Sequence, residues 1–132
     1  IQIAQKNAFE LSAKVTFTTC DILTEVPEVA ELDILVSNPP YIPEREKTEM
    51  HRNVLDFEPE LALFVSNEDP FIFYRTIAQK GHQLLKSGGK MYFKIHEKYG
   101  KEVADLIESL DYSEVKVLKD LNGKDRIVIA RR

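Results

Sequence analysis

Hydrophobic positions at the start of the chain recur at helical spacing, and "IQIAQKNAFEL" puts Ile1, Ala4, Ala8 and Leu11 on one face. The next stretch, "KVTFTT", alternates Val15, Phe17 and Thr19, which predicts a strand leaving through a turn at "CDIL". A loop then runs to Leu32. Asp33 to Ser37 is a continuous apolar run, the pattern of a parallel strand covered on both faces. Residues 44 to 69 hold the mixed-charge "EREKTEMHR", a solvated loop or short helix, followed by "FEPELAL". Asp69 as N-cap and Pro70 at the first helical position predict a helix start. Tyr74, Ile77, Ala78, Gly81, Leu84 and Leu85 supply its stripe, and Gly88 or Gly89 its left-handed stop. A strand "KMYFKI" and a helix bearing Val103, Leu106, Ile107 and Leu110 follow. Strands "EVKVLK" and "RIVIA" then flank "DLNGKD", where Asn122 and Gly123 favour a tight reversal. The order is helix, strand, strand, helix, strand, helix, strand, strand, an α/β chain closed by an antiparallel hairpin.

Composition narrows this to one compact domain over residues 1–132, since 132 residues at 43% hydrophobic support one core and not two. A net charge of −4 lacks the basic field with which proteins hold nucleic acid by its phosphates. No apolar run is long enough to span a bilayer, no secretory signal pattern is present, and Cys20 is the single cysteine. A cytoplasmic, disulfide-free protein without a membrane partner is expected. Cys20 reads as a small buried residue rather than a nucleophile. His51, His82 and His96 are too widely spaced to form a metal-ligand pattern, so no metal is expected. Arg126, Arg131 and Arg132 read as a solvated basic end. The opening at Ile1, with no Met or cap, reads as a start inside a longer chain.

The chemistry concentrates in "SNPPYIP", Ser37 to Pro43. Asn38 and Pro39 each precede a proline, which drives both into extended backbone. Pro39 and Pro40 have no N–H, so the turn presents fixed carbonyl acceptors, and the Asn38 side chain adds an amide oxygen. Two neighbouring acceptors suit a planar NH₂ group, and Tyr41 can stack on its plane. A conjugated NH₂ is a poor nucleophile, so a site that accelerates its attack must do so by orientation and charge stabilisation. Methyl transfer from a sulfonium is such a reaction. The plain alternative is that Asn-Pro-Pro only punctuates the end of a strand.

In its flanks the motif resembles one family, the protein-glutamine methyltransferases that modify the Gly-Gly-Gln motif of peptide-chain release factors. The matching pieces are "AQKNA", "CDIL", "ILVSNPPYIP", "FEPELAL", "FYR", "LLKSGGKMYF" and "DLNGKDRIVIARR", which span nearly the whole chain. The resemblance implies a Rossmann-like fold and S-adenosylmethionine as cofactor. It places the substrate amide on Asn38, Pro39, Pro40 and Tyr41, with Asn38 and Tyr41 the residues that carry catalysis. It places the cofactor against Asp21, Ile22 and Asn38. Asp21 serves equally as a turn cap, Ile22 as core, and Glu58 as a loop anchor or a residue near the substrate. Lys94 and His96 stand where relatives often have Glu, then Ile and a small or polar residue.

The family's cofactor cradle is a glycine-rich turn after its first strand, with an acidic residue ending the second. Here the glycines are at 81, 88, 89, 100 and 123, none before the Asn-Pro-Pro-Tyr motif. The resemblance therefore implies an N-terminally truncated catalytic domain lacking the first two strands, with little activity alone. Two other readings stand beside it: methylation of adenine or another nucleic-acid amine, and a noncatalytic fragment that binds a partner. Direct nucleic-acid binding is not expected.

Overall fold

The computed structural model describes residues 1–49 and 57–132. His51 and part of "EREKTEMHR" lie outside the described residues. A helix α1 (Gln2–Glu10) is followed by β1 (Leu32–Ser37), β2 (Ile42–Pro43), a 3-10 helix (Glu44–Glu49), α2 (Glu60–Leu63) and β3 (Phe64–Val65). Then come α3 (Ile72–Leu84), β4 (Leu85–Lys94), α4 (Gly100–Ser109), β5 (Ser113–Lys119) and β6 (Asp125–Arg131). The main sheet runs β1-β4-β6-β5, with β1 parallel to β4 and the other two pairings antiparallel. Strands β2 and β3 form a separate parallel pair. This is a mixed α/β fold with the expected closing hairpin, whose reversal places Gly123 at φ +77°.

Strand period decides where the core lies. Met91 and Phe93 of β4 pair with Ala130 and Val128 of β6, so these residues share one face. That face is buried under Tyr74, Ile77 and Ala78 of α3 and Val103 and Ile107 of α4. The helical stripes expected on both helices are the ones buried. The opposite face carries Ile34, Val36, Tyr92 and Ile129. Ile34 and Val36 are 55% and 74% exposed, so β1 is not covered on both faces as its apolar run predicts. Both helices pack on one side, and a continuous apolar run cannot report which of its faces finds a partner.

Four further expectations are corrected. Residues 14–19 form no strand although Val15, Phe17 and Thr19 alternate, because no described strand lies alongside to take their backbone groups. Helix α3 begins at Ile72 without a side-chain cap, and Asp69 instead takes Arg75 in a two-pronged pair at 2.7 and 3.1 Å. It ends at Leu84 and passes directly into β4, so neither Gly88 nor Gly89 stops it. Gly88 does adopt φ +77°, but within β4, where its N–H donates to the Arg132 carbonyl. The basic end is paired rather than free: Arg126 with Asp120 and Glu97, Arg131 with Glu114, and Arg132 donating to the Leu85 carbonyl.

The hydrogen bonds from Arg75 hold the Asp69 carboxyl below its ordinary value of 3.8. A depressed folded value gives stability that is present above the ordinary value and lost as pH falls through the folded one. Asp69→Asn should therefore cost up to about 1 kcal/mol at neutral pH, the pair being partly exposed. The difference should shrink as pH falls below 3.8, read from denaturant midpoints. A gap that persists unchanged in acid would contradict this role.

Candidate active site

The Asn38–Tyr41 loop leaves the carboxyl end of β1 where Ser37 pairs with Phe93, and enters β2, which pairs with β3. Strand pairing therefore fixes both ends of a segment already stiffened by two prolines. Pro39 is buried and Pro40 half-buried, while Asn38 is exposed and hydrogen-bonds no other described residue. Among the described residues, nothing occupies its amide.

Tyr41 is half-buried and held by the end of β4. The Lys94 ammonium lies 5.5 Å from its ring centroid, and the His96 ring meets it edge-on at 6.2 Å. His96 is itself fixed. Its Nδ1 accepts the Lys98 N–H at 3.2 Å, so Nε2 carries the proton and donates to Glu46 at 3.0 Å. Glu46 also takes the Lys98 ammonium at 3.5 Å, tying the 3-10 helix that follows the loop to the end of β4. The peptide carbonyl of Lys94 accepts the buried Tyr74 hydroxyl at 3.2 Å, and burial pushes that phenol upward.

Two cavities meet at Asn38. One, about 270 Å³, is lined by Asn38, Tyr41, Glu58 and Lys94 among others. The second, about 660 Å³ and mainly apolar, is walled by Thr19 to Leu23, Asn38, Pro40, Pro59, Leu61, Ala62 and Phe73. Asp21 and Ile22 thus stand in one cavity wall with Asn38. Their plain roles are visible too. The Asp21 carboxylate accepts the Leu23 N–H at 3.0 Å as a turn cap, and Ile22 packs on the core. Glu58 is exposed at the rim of the smaller cavity.

Cys20 is half-buried in the larger cavity rather than in the core, and desolvation raises its thiol above the ordinary value, which opposes nucleophilic use. His82 lies 2.7 Å from the Leu110 carbonyl and stacks on Tyr112, a packing role. Among the described residues no group of three His, Cys, Asp or Glu side chains could hold a metal, and no helix is long and apolar enough to cross a membrane. Sequence reasoning left Lys94 and Phe73 without a role. Lys94 could have been found from its position, at the carboxyl end of the strand beside β1, where open parallel sheets place their ligands.

The chain is thus an α/β protein with a rigid loop at the carboxyl end of a parallel strand, set between two cavities. No protein-family model matches the chain. It is 53% identical over 133 residues to a protein of Bacteroides thetaiotaomicron named release factor glutamine methyltransferase, covering 100% of this chain and 48% of that relative. Proteins of the same name from Flavobacterium psychrophilum and Leptospira interrogans are 42% and 33% identical, over 95% and 100% of this chain and 44% and 46% of theirs. The chain is similar over its whole length to release factor glutamine methyltransferases and spans about half the length of the curated relatives it matches.

Proposed function

We propose that the chain is the C-terminal portion of a Rossmann-like methyltransferase domain that methylates the side-chain amide nitrogen of the glutamine in the Gly-Gly-Gln motif of a peptide-chain release factor. The observation that carries this reading is that Asn38 lines both cavities, so one side chain can face the substrate amide and the methyl donor together. S-adenosylmethionine, when bound, supplies a methyl group on a sulfonium sulfur. The larger cavity fits its adenine in size and chemistry, with Ile22 and Phe73 as apolar walls and Asp21 beside them as an acceptor.

The Asn38 side-chain oxygen, which lines the smaller cavity, and the carbonyl of the next residue, Pro39, accept the two N–H groups of the substrate amide. Tyr41 packs on its plane, and Pro40 fixes the carbonyl direction. These contacts turn the nitrogen lone pair toward the methyl carbon. The donor, once bound, would supply the methyl group and keep the carbon–sulfur electron pair, while these residues hold the nitrogen in line and its displaced proton would pass to solvent. As positive charge grows on nitrogen its N–H groups become stronger donors, so the two acceptors bind the transition state better than the ground state. Methylation of a nucleic-acid amine would use the same acceptors, and the net charge of −4 weighs against it.

Calorimetry with S-adenosylmethionine tests the cofactor half of this reading. Saturable binding is expected with a chain of full family length and weak or no binding with residues 1–132, because the family's glycine-rich cradle has no counterpart here. Absence of binding in both, with both folded, would overturn the proposed chemistry. Equal tight binding in both would refute the need for that cradle.

A further inference from the structure

Helix α3 supplies one wall residue of the larger cavity and, from a second position, holds the opposite wall. Phe73 forms part of one wall. Two turns further on and on the same side of the helix stands Lys80, half-buried. Its ammonium donates to the carbonyls of Ile22 at 2.5 Å and Glu25 at 2.6 Å. Those carbonyls bracket Leu23 and Thr24; Ile22 belongs to the facing wall, Thr19 to Leu23, and Glu25 lies just beyond it in the same turn.

That wall belongs to no helix or strand of the fold. Internally it has the turn in which Thr24 and Glu25 donate to the Asp21 carbonyl, the Asp21 cap on Leu23, and a long contact from the Asp21 N–H to the Glu25 carboxylate. These shape the turn without attaching it to anything. Among the described residues, attachment comes from the Ile22 side chain on the core and from Lys80. An ammonium has three donors and no acceptor, so it can gather two carbonyls of one turn, and a charged donor makes the stronger kind of hydrogen bond.

We propose that Lys80 is a positioning residue: by tethering the Ile22 and Glu25 carbonyls to α3, it sets the width of the larger cavity between Phe73 and the Asp21–Ile22 wall. That the cavity takes the adenosyl part of the methyl donor rests on the function proposed above. The tether itself does not.

Hydrogen exchange of the 132-residue chain read by mass spectrometry tests the tether without any ligand. In Lys80→Met, amides of residues 21–25 should exchange about tenfold faster, a factor equal to about 1.4 kcal/mol of local stability. Those of α3, β4 and β6 should stay within about twofold. Lys80→Arg, which keeps charged donors, should restore most of the protection. Unchanged exchange at 21–25 in Lys80→Met, or an equal rise throughout the chain, would overturn the proposal. In a protein of full family length, Lys80→Met should also weaken S-adenosylhomocysteine binding about tenfold by calorimetry, with Lys80→Arg close to wild type. Faster exchange with unaltered binding would overturn the control of cavity width. A wild-type protein that binds no S-adenosylhomocysteine would sink the cofactor assignment and leave the exchange result standing.

Discussion

Replacing Asn38 by alanine in an enzyme of full family length should lower turnover in methyl transfer by about 10²–10³-fold and change the dissociation constant of S-adenosylmethionine by less than about threefold. Its side-chain amide is exposed, bonded to no other described residue, and projects from a backbone held by two prolines and by strand pairing on both sides. Alanine removes an acceptor without disturbing the frame that presents it. The lost bond is the one that strengthens as charge develops on the amide nitrogen, so the loss falls on turnover. Steady-state kinetics beside calorimetry reads the split. Equal losses in turnover and cofactor affinity would mean that Asn38 acts as a cofactor ligand instead.

The largest expected effect on stability lies away from the site. A methyl group at Gly81 would stand 2.3 Å from the Tyr112 hydroxyl, which is bonded at 2.8 Å to the Ala78 carbonyl and belongs to a side chain 5% exposed. Burial also pushes that phenol up to about 12, so it stays a neutral donor. Gly81→Ala should gain about 1 kcal/mol in helix propensity and lose more through overpacking and the broken hydrogen bond, a net cost of about 2–3 kcal/mol. Tyr112→Phe alone should cost about 1 kcal/mol. The double variant should be more stable than Gly81→Ala, because the next nearest ring atom stands at 3.6 Å, an ordinary contact. Thermal unfolding of the four proteins checks this, at about 3–5 °C per kcal/mol for a chain of this size. Additive losses in the double variant would contradict it.

How far the sequence speaks depends on how local the cause is. The stripes on α3 and α4 and the Asn122–Gly123 reversal were legible because side-chain period and positive φ are local properties. The segment at Val15, Phe17 and Thr19 misleads because a strand exists only with a partner, and alternation says nothing of one. The exposed side of β1 was hidden for the same reason: Ile34 and Val36 look like core until the helices are seen on the other face. At the candidate site, the stiffness of the Asn38 to Tyr41 loop could be read from proline stereochemistry. The grip of Lys94 and His96 on Tyr41, and of Lys80 on the Asp21 turn, joins residues far apart in the chain. No spacing rule reaches across such separations.

The central claim is that this site turns a glutamine amide toward a methyl donor. Its most direct test is to incubate an enzyme of full family length carrying this segment with labelled S-adenosylmethionine and, separately, release factor, naked DNA and RNA, and to locate the label by mass spectrometry. One methyl group on the side-chain nitrogen of the Gly-Gly-Gln glutamine, absent with Asn38→Ala, is the expected result. Label on nucleic acid, or release factor left unmodified by a folded, cofactor-binding enzyme, would contradict it.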